Sequence, residues 1–363
     1  MKRILIMAAL MAAALSATNC ARQTPIGPND ATKRYLDAWM QINNINVEPT
    51  DLGIYILEDK PGTGIAVEKD GLAFLDYTTY DLEGNIVNYT SDKVAMKLGE
   101  YDYNAYTSYY GPEFLSTYEG NIHAGIAEMI IGMKAGGQRK AIIPSWLFSY
   151  EEYDSESKYF EESTSGSTMI YDVTVRDFTT DIDKWEIDSI GRFFSNDKIL
   201  IDGVPANQLF TNKDGLTMTK ADSLKTGFYY KQLKAPVDTT SFAADTTIYI
   251  NYTGRLLNGQ VFDTTIEDVA KDNKIYSESK TYQPVQINWS DAETNNYSGI
   301  TMGTDESTLI DGFSMTLWQM RPMEKGIGVF YSLIGYTSTG SGTTIPAYSP
   351  LIFEIEIVEA PEN

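Results

Sequence analysis

The 363-residue chain has one cysteine, Cys20, and one histidine, His123. A disulfide framework needs two thiols, and a two-histidine metal site or a cysteine–histidine pair needs partners this chain does not have. A Ser-His-acid triad has only His123 to draw on, and that residue lies between Ile122 and Gly125, a setting that suits a structural role. Basic residues are also scarce: 28 Lys and Arg stand against 50 Asp and Glu, a formal charge of −22. Nucleic-acid binding needs a basic footprint to displace counterions from phosphates, so this balance has the wrong sign for it. No Walker or dinucleotide glycine pattern lies between a strand and a helix, and Gly132, Gly136 and Gly137 read as a turn. Asp81-Leu82-Glu83-Gly84-Asn85 lacks the spaced acids and distal Glu of a calcium loop and reads as a hairpin turn. The chemistry left open needs no nucleophile, metal or cofactor.

Long apolar runs are absent after Cys20. Before it, Lys2-Arg3 precede an apolar run from Ile4 to Leu15, and Ser16-Ala17-Thr18-Asn19 lead into the cysteine. A charged start, a short apolar stretch and small residues before a cleavage point describe a secretory signal, too short to span a bilayer. The position of Cys20 resembles a bacterial lipobox, with Asn19 an unusual residue just before it. The expectation is lipidation at Cys20, with an unmodified thiol after a plain signal peptide as the alternative. Loss of Lys2 and Arg3 takes the formal charge from −22 to −24, which leaves the lipid as the membrane anchor. The expected location is the cell envelope of a Gram-negative bacterium, on the outer membrane facing the periplasm.

The chain is 42% hydrophobic with 25 Tyr, a composition and length suited to two globular domains. An internal repeat gives the same count. Tyr77-Thr78 and Glu83-Gly84 recur at Tyr252-Thr253 and Asn258-Gly259, both at an offset of 175. Ile122-His123-Ala124-Gly125 recurs as Leu309-Ile310-Asp311-Gly312 at 187, and the run Met169 to Val175 recurs as Leu351 to Ile357 at 182. One fixed order with slowly varying offsets indicates a tandem duplication. Residues 248 to 263 predict a hairpin, with alternating Ile248, Ile250 and Tyr252, an Asn258-Gly259 turn, and a return through Val261-Phe262-Asp263. Helices are expected over 31–43, with Tyr35, Leu36, Trp39 and Ile42 on one face behind an Asn29-Asp30 cap, and over 181–195, with Trp185, Ile187, Ile190, Phe193 and Phe194. Residues 196 to 222 read as an irregular connector. The fold class is α+β, built on antiparallel strands with a short helix in each module.

Tyr252-Thr253-Gly254, Gly259, Phe262-Asp263, Leu309-Ile310-Asp311-Gly312-Phe313, Tyr336, Ile345-Pro346 and Leu351 to Glu356 follow one another in a pattern that resembles the FKBP-type peptidyl-prolyl isomerases. The likeness covers about 225 to 360 well and about 50 to 178 more weakly. It implies two half-barrel sheets, each wrapped on a short helix, to which the helices expected over 31–43 and 181–195 add an extra N-terminal helix per module. The corresponding division is 1–19 signal peptide, 20–48 tether and helix, 49–180 degenerate module, 181–224 linker with helix, and 225–363 isomerase module. By resemblance Tyr252, Phe262, Asp263, Ile310, Phe313, Tyr336 and Phe353 form the catalytic pocket, and Val285, Leu309 and Ile345 add substrate contacts. Phe313 stands where the family has Trp. The Ile310 N–H and the Tyr336 hydroxyl would hold substrate carbonyls. In the first module Tyr77, Val87, Asn88, Ile126, Tyr150 and Tyr171 mark a degenerate pocket without the acid and the floor ring.

Insertions at 264–284 and 290–305 depart from the family pattern. Two functions remain open on these residues. One is a cofactor-free isomerase and folding helper acting on proline-containing segments of envelope proteins. The other is a non-catalytic envelope lipoprotein that binds protein or glycan, for which Trp289, Trp318 and the Tyr101 to Tyr110 cluster offer surface.

Overall fold

Alternating apolar and polar residues in both halves give two antiparallel sheets of one topology. The protein's structure, a computed structural model, describes residues 27–163, 166–201, 203–210 and 227–361. Cys20, the apolar run before it and residues 211–226 of the connector lie outside the described residues. In the first sheet β1 (Tyr55–Lys60), β5 (Gln138–Ile143), β6 (Met169–Thr179), β2 (Leu72–Tyr80) and β3 (Ile86–Tyr89) lie side by side in that order, and β4 (Glu113–Ser116) also pairs β2. A two-stranded pair, β7 (Leu200–Ile201) with β8 (Val204–Pro205), intervenes. The second sheet repeats the order as β9 (Phe228–Lys234), β15 (Lys325–Phe330), β16 (Leu351–Val358) and β10 (Thr247–Leu256), with β11 (Val261–Thr264) and β12 (Val285–Asn288) on opposite ends of β10. A small hairpin, β13 (Thr301–Met302) with β14 (Ser307–Thr308), extends this sheet beyond β12.

The repeat offsets are offsets of register. Thr79 lies between Asn88 and Tyr171, and Gly254 lies between Asp263 and Phe353, so 88 corresponds to 263 and 171 to 353. Among the helices, α1 (Asp30–Ile42) precedes the first sheet and α2 (Ala124–Ile130) packs on it, while α3 (Ile182–Phe194) precedes the second, whose loops carry α4 (Glu267–Asp272) and α5 (Asp311–Gln319). α2 and α5 approach their sheets closely enough that a side chain at the second residue would not fit. A Cβ at Gly125 would meet Ile143 and Leu147, and one at Gly312 would meet the Phe330 ring. That contact is the reason glycine recurs there.

Each half has its own core. Leu36 and Met40 of α1 join Ile54, Leu75, Met129, Ile142 and Trp146, while Ile190 and Phe193 of α3 join Ile250, Phe313, Phe330 and Ile355. Tyr35 and Ile42, expected on the buried face of α1, are 52% and 77% exposed. The stripe is narrower than the sequence suggests, with Leu36 and Met40 one turn apart doing the packing. Asn29 does not cap α1 through its side chain; its amide donates to the Phe160 and Ser163 carbonyls, so the helix is tied to its module from the N-terminus. α3 has the expected kind of cap, Asp181 accepting from the Lys184 N–H.

The hairpin at 248–263 forms, but its turn differs from the two-residue type expected. The Gly259 N–H donates to the Leu256 carbonyl, Leu256 N–H to Gln260, and only Gly259, at φ +90°, is left-handed. The same turn recurs at Asp81–Asn85 around Gly84, where the Asp81 carboxylate accepts from the Asn85 backbone and side chain. Among the described residues no helix is long and apolar enough to cross a membrane.

Candidate functional site

The second module opens a cleft of about 410 Å³ between sheet and helix, lined by Tyr252, Phe262, Asp263, Leu309, Ile310, Phe313, Tyr336, Ile345 and Phe353. β10, β11 and β16 bring Tyr252, Phe262 with Asp263, and Phe353 to one face, and α5 supplies Phe313 from below. The rings pack edge to face: Phe353 lies 4.9 Å from Phe313 and 5.6 Å from Phe262, and Tyr252 lies 5.5 Å from Phe313, centroid to centroid. Such arrangements favour a rigid aromatic wall. Gly254 makes it possible, because a Cβ there would strike both Phe262 and Phe353.

Asp263 is fully engaged. One carboxylate oxygen accepts from the Tyr252 hydroxyl at 2.6 Å, and the other pairs with the Lys280 ammonium. Burial, followed by the Asp263 charge, pushes the Tyr252 phenol well above its ordinary value, so it stays protonated and donates. Burial and Asp263 likewise raise Tyr336. Two donors remain unspent: among the described residues the Tyr336 hydroxyl and the Ile310 N–H, at the N-cap of α5, donate to none. An apolar bowl with two free donors and an acid already paired at both oxygens can bind carbonyl oxygens.

Neither insertion closes the cleft. The first carries α4, then Tyr276 stacked on Tyr282, and delivers Lys280 to Asp263. The second forms the β13–β14 hairpin, from which Met302 and Thr308 join the wall. Lys280, Met302, Thr308, Ser341 and Thr344 were not singled out from sequence, since all lie in loops or insertions where the repeat gives no register. Val285 sits on β12 opposite Ile250, packed on the core and outside the residues lining the cleft. Trp289, 5% exposed, stacks on Trp318 within the core, which withdraws it from surface binding.

The first module has a smaller pocket of about 200 Å³ at the equivalent place, lined by Tyr77, Thr79, Asn88, Glu113, Phe114, Ile126, Ile130 and Tyr171 among others. Val87 is 49% exposed and Tyr150 is 56% exposed, and neither lines it. Tyr150 instead lies over the His123 ring at 4.1 Å. Burial lowers the His123 pKa, in keeping with a neutral ring at the start of α2.

The residue that sequence reading missed is Glu113. It pairs with Leu75 on β4 as Val285 pairs with Ile250 on β12, so the first module carries an acid where the second has valine. Glu113 is exposed at the pocket mouth, yet the packing around it desolvates the carboxyl enough to raise its pKa, with the Tyr77 hydrogen bond opposing. Burial and the nearby Glu113 push Tyr77 up to about 12. The acceptor for the pocket tyrosine has thus moved from the β11 position to the β12 position of the shared topology.

No curated protein matches the chain. Among solved structures it is similar to the three FKBP domains of wheat FKBP73, at 15% identity and TM-score 0.26, over 85% of this chain and 94% of that one. It is also similar to a peptidyl-prolyl cis-trans isomerase from Pseudomonas syringae pv. tomato, at 20% identity and TM-score 0.27, over 50% and 94%. A third likeness is to the N-terminal domain of FKBP42 from Arabidopsis thaliana, at 14% identity and TM-score 0.26, over 38% and 87%. The family model for FKBP-type peptidyl-prolyl cis-trans isomerase matches residues 239–358. Residues 239–358 therefore form an FKBP-type peptidyl-prolyl cis-trans isomerase domain.

Proposed function

We propose that the second module catalyses cis-trans rotation of X-Pro bonds and that the whole chain is a folding helper of the cell envelope. The observation that carries this reading is the pair of unspent donors, the Ile310 N–H and the Tyr336 hydroxyl, above a floor of Phe313 and Phe353. Amide rotation faces a barrier of about 18–20 kcal/mol because the planar form is stabilised by resonance, and X-Pro bonds interconvert unaided over tens to hundreds of seconds. Twisting the bond removes its charge-separated resonance form. An aromatic bowl solvates the planar amide poorly and the twisted one comparatively well, while the two donors hold flanking carbonyls in a bent geometry. Differential binding of the twisted state lowers the barrier without a nucleophile.

Asp263, saturated by Tyr252 and Lys280, shapes the wall and holds the Tyr252 ring. The first module serves as an accessory with little or no turnover. Its clients are proline-containing segments of envelope proteins, and acylated Cys20, following Lys2-Arg3 and the apolar run, tethers the chain to the outer membrane on the periplasmic side. Acceleration of X-Pro isomerisation in a short peptide by the chain starting after Cys20 is the test. Asp263→Ala leaves the Tyr252 hydroxyl and Lys280 without their acceptor and lowers kcat/KM by about 10- to 100-fold. No acceleration by the folded wild type, with peptide or with an unfolded protein, refutes the reading.

A further inference from the structure

The wall of the second cleft is held from the first module. Between the 3-10 turn Ser332–Ile334 and β16, the chain runs through an irregular loop that contributes Tyr336, Ser341, Thr344 and Ile345 to the cleft. At the tip of that loop the backbone closes a short bridge, with the Ser341 N–H donating to Ile345 and Ile345 back to Ser341. Gly340 and Gly342, both at positive φ, flank it. Elsewhere the loop is tied to itself, with the Thr337 N–H donating to Ser332, Gly340 to Tyr336 and Tyr348 to Thr337, but among the described residues no hydrogen bond ties the 341–345 tip to the rest of the second module.

Residues 106–109, which belong to the connection between β3 and β4 of the first module, supply what is missing. The Tyr109 N–H donates to the Thr343 carbonyl at 2.7 Å, and the Thr343 hydroxyl donates to the Thr107 carbonyl at 2.6 Å. The Tyr106 hydroxyl reaches the Thr344 carbonyl at 3.2 Å, while its backbone N–H donates to Lys274 at 2.6 Å. Lys274 lies in the insertion that carries Lys280 to Asp263, so the four-residue strap joins the loop to the insertion. Tyr109 packs against the second module's core, and burial pushes its phenol up to about 12. Its hydroxyl donates to the Pro112 carbonyl, one residue before Glu113 in the first pocket.

We propose that Tyr106 and Tyr109 are positioning residues for the second module's cleft, so that the first module acts as a brace on the wall that contacts substrate. Its kinetic arm rests on the isomerase reading above. In the full chain Tyr106→Phe removes the hydroxyl bonds and keeps the ring, and Thr343→Val removes the bond to Thr107. Each variant is expected to raise KM for an X-Pro peptide by about 3- to 10-fold, the weight of one or two net hydrogen bonds, with kcat within about twofold. Tyr103→Phe, in the same connection but 59% exposed, leaves both constants unchanged. Amide hydrogen exchange at Ser341 and Ile345 is the second readout and needs no catalysis: it speeds up in the Tyr106→Phe and Thr343→Val variants and not in Tyr103→Phe. Unchanged exchange overturns the proposal whether or not the wild type isomerises. Faster exchange with unchanged KM in an active wild type overturns it as well, because the strap then steadies a loop that substrate does not use. A wild type that does not isomerise refutes the isomerase reading and leaves the exchange comparison to decide the brace.

Discussion

The two modules share a sheet order and a register, yet they solve the same local problem differently. In each, a tyrosine at the same point of the second long strand needs a partner for its hydroxyl. Tyr252 finds Asp263 on β11, and Tyr77 has Glu113 on β4. The aromatic wall differs accordingly. Gly254 lets Phe262 lie against Phe353, whereas Thr79 fills that space and the matching Val87 is left exposed. The serine after the fifth strand repeats the contrast. Ser332 has both N–H and hydroxyl bound by the buried Glu186 of α3, each at 2.6 Å, while the equivalent Ser145 donates its N–H to Thr168 and its hydroxyl has no partner among the described residues. The shared topology keeps its backbone pairing, and the side chains that complete each pocket arrive from whichever strand is near.

The comparison breaks most sharply at Phe353. Its ring touches Tyr252, Phe262, Phe313 and Phe330, so Phe353→Ala should cost about 3–5 kcal/mol in denaturant unfolding and abolish turnover by the second module. Tyr171→Ala, its counterpart, should leave turnover unchanged. If both variants reduced turnover alike, the division of labour between the modules would be wrong.

Glu186 gives the next largest effect. Burial lifts its carboxyl from 4.5 to about 7, with the Ser332 bonds opposing. The folded state therefore keeps a proton that the unfolded chain releases, so this residue's contribution to stability falls as pH rises from about 4.5 to about 7, by about 3 kcal/mol in all. Glu186→Gln should flatten that slope in a series of unfolding curves, and an unaltered slope would show that another group titrates.

Val87→Phe sharpens the comparison from the other side. Adding the ring at the register shift beside Asn88, the residue opposite Thr79, should destabilise the first module by about 1–3 kcal/mol, and Thr79→Gly in the same chain should recover most of it, as a double-mutant cycle would read. Additive effects would mean that the ring turns outward to solvent. The smallest effect belongs to Glu113→Gln. It should bring the Tyr77 phenol down from about 12 without reaching the ordinary value, because burial is the larger cause. Titration of a labelled Tyr77 followed by NMR would measure it.

Much of the fold was legible in the sequence because strand periodicity and turn glycines are local. Tyr252, Phe262, Asp263, Phe313 and Phe353 converge as the resemblance implies, and Tyr77, Asn88, Ile126 and Tyr171 gather in the matching place. Val285 was expected in the cleft and lies outside it, and Glu113 was missed, because both depend on which strand lies beside β10 or β2. The exposed faces of Tyr35 and Ile42 escaped because a helix stripe shows which residues can be buried and not how wide a face the neighbour covers.

The sequence by itself determined the repeated order of motifs and the strands, carried by spacing within short segments, while the aromatic floor and the acid beside Phe262 followed from the family resemblance. Only the tertiary structure decided that Glu186 reaches Ser332 across 146 residues and that the Tyr106–Tyr109 strap closes on Thr343 and Thr344. Contacts between segments so far apart in the chain are set by how α3 packs on the second sheet and how the strap meets the loop before β16, and no local pattern encodes either arrangement.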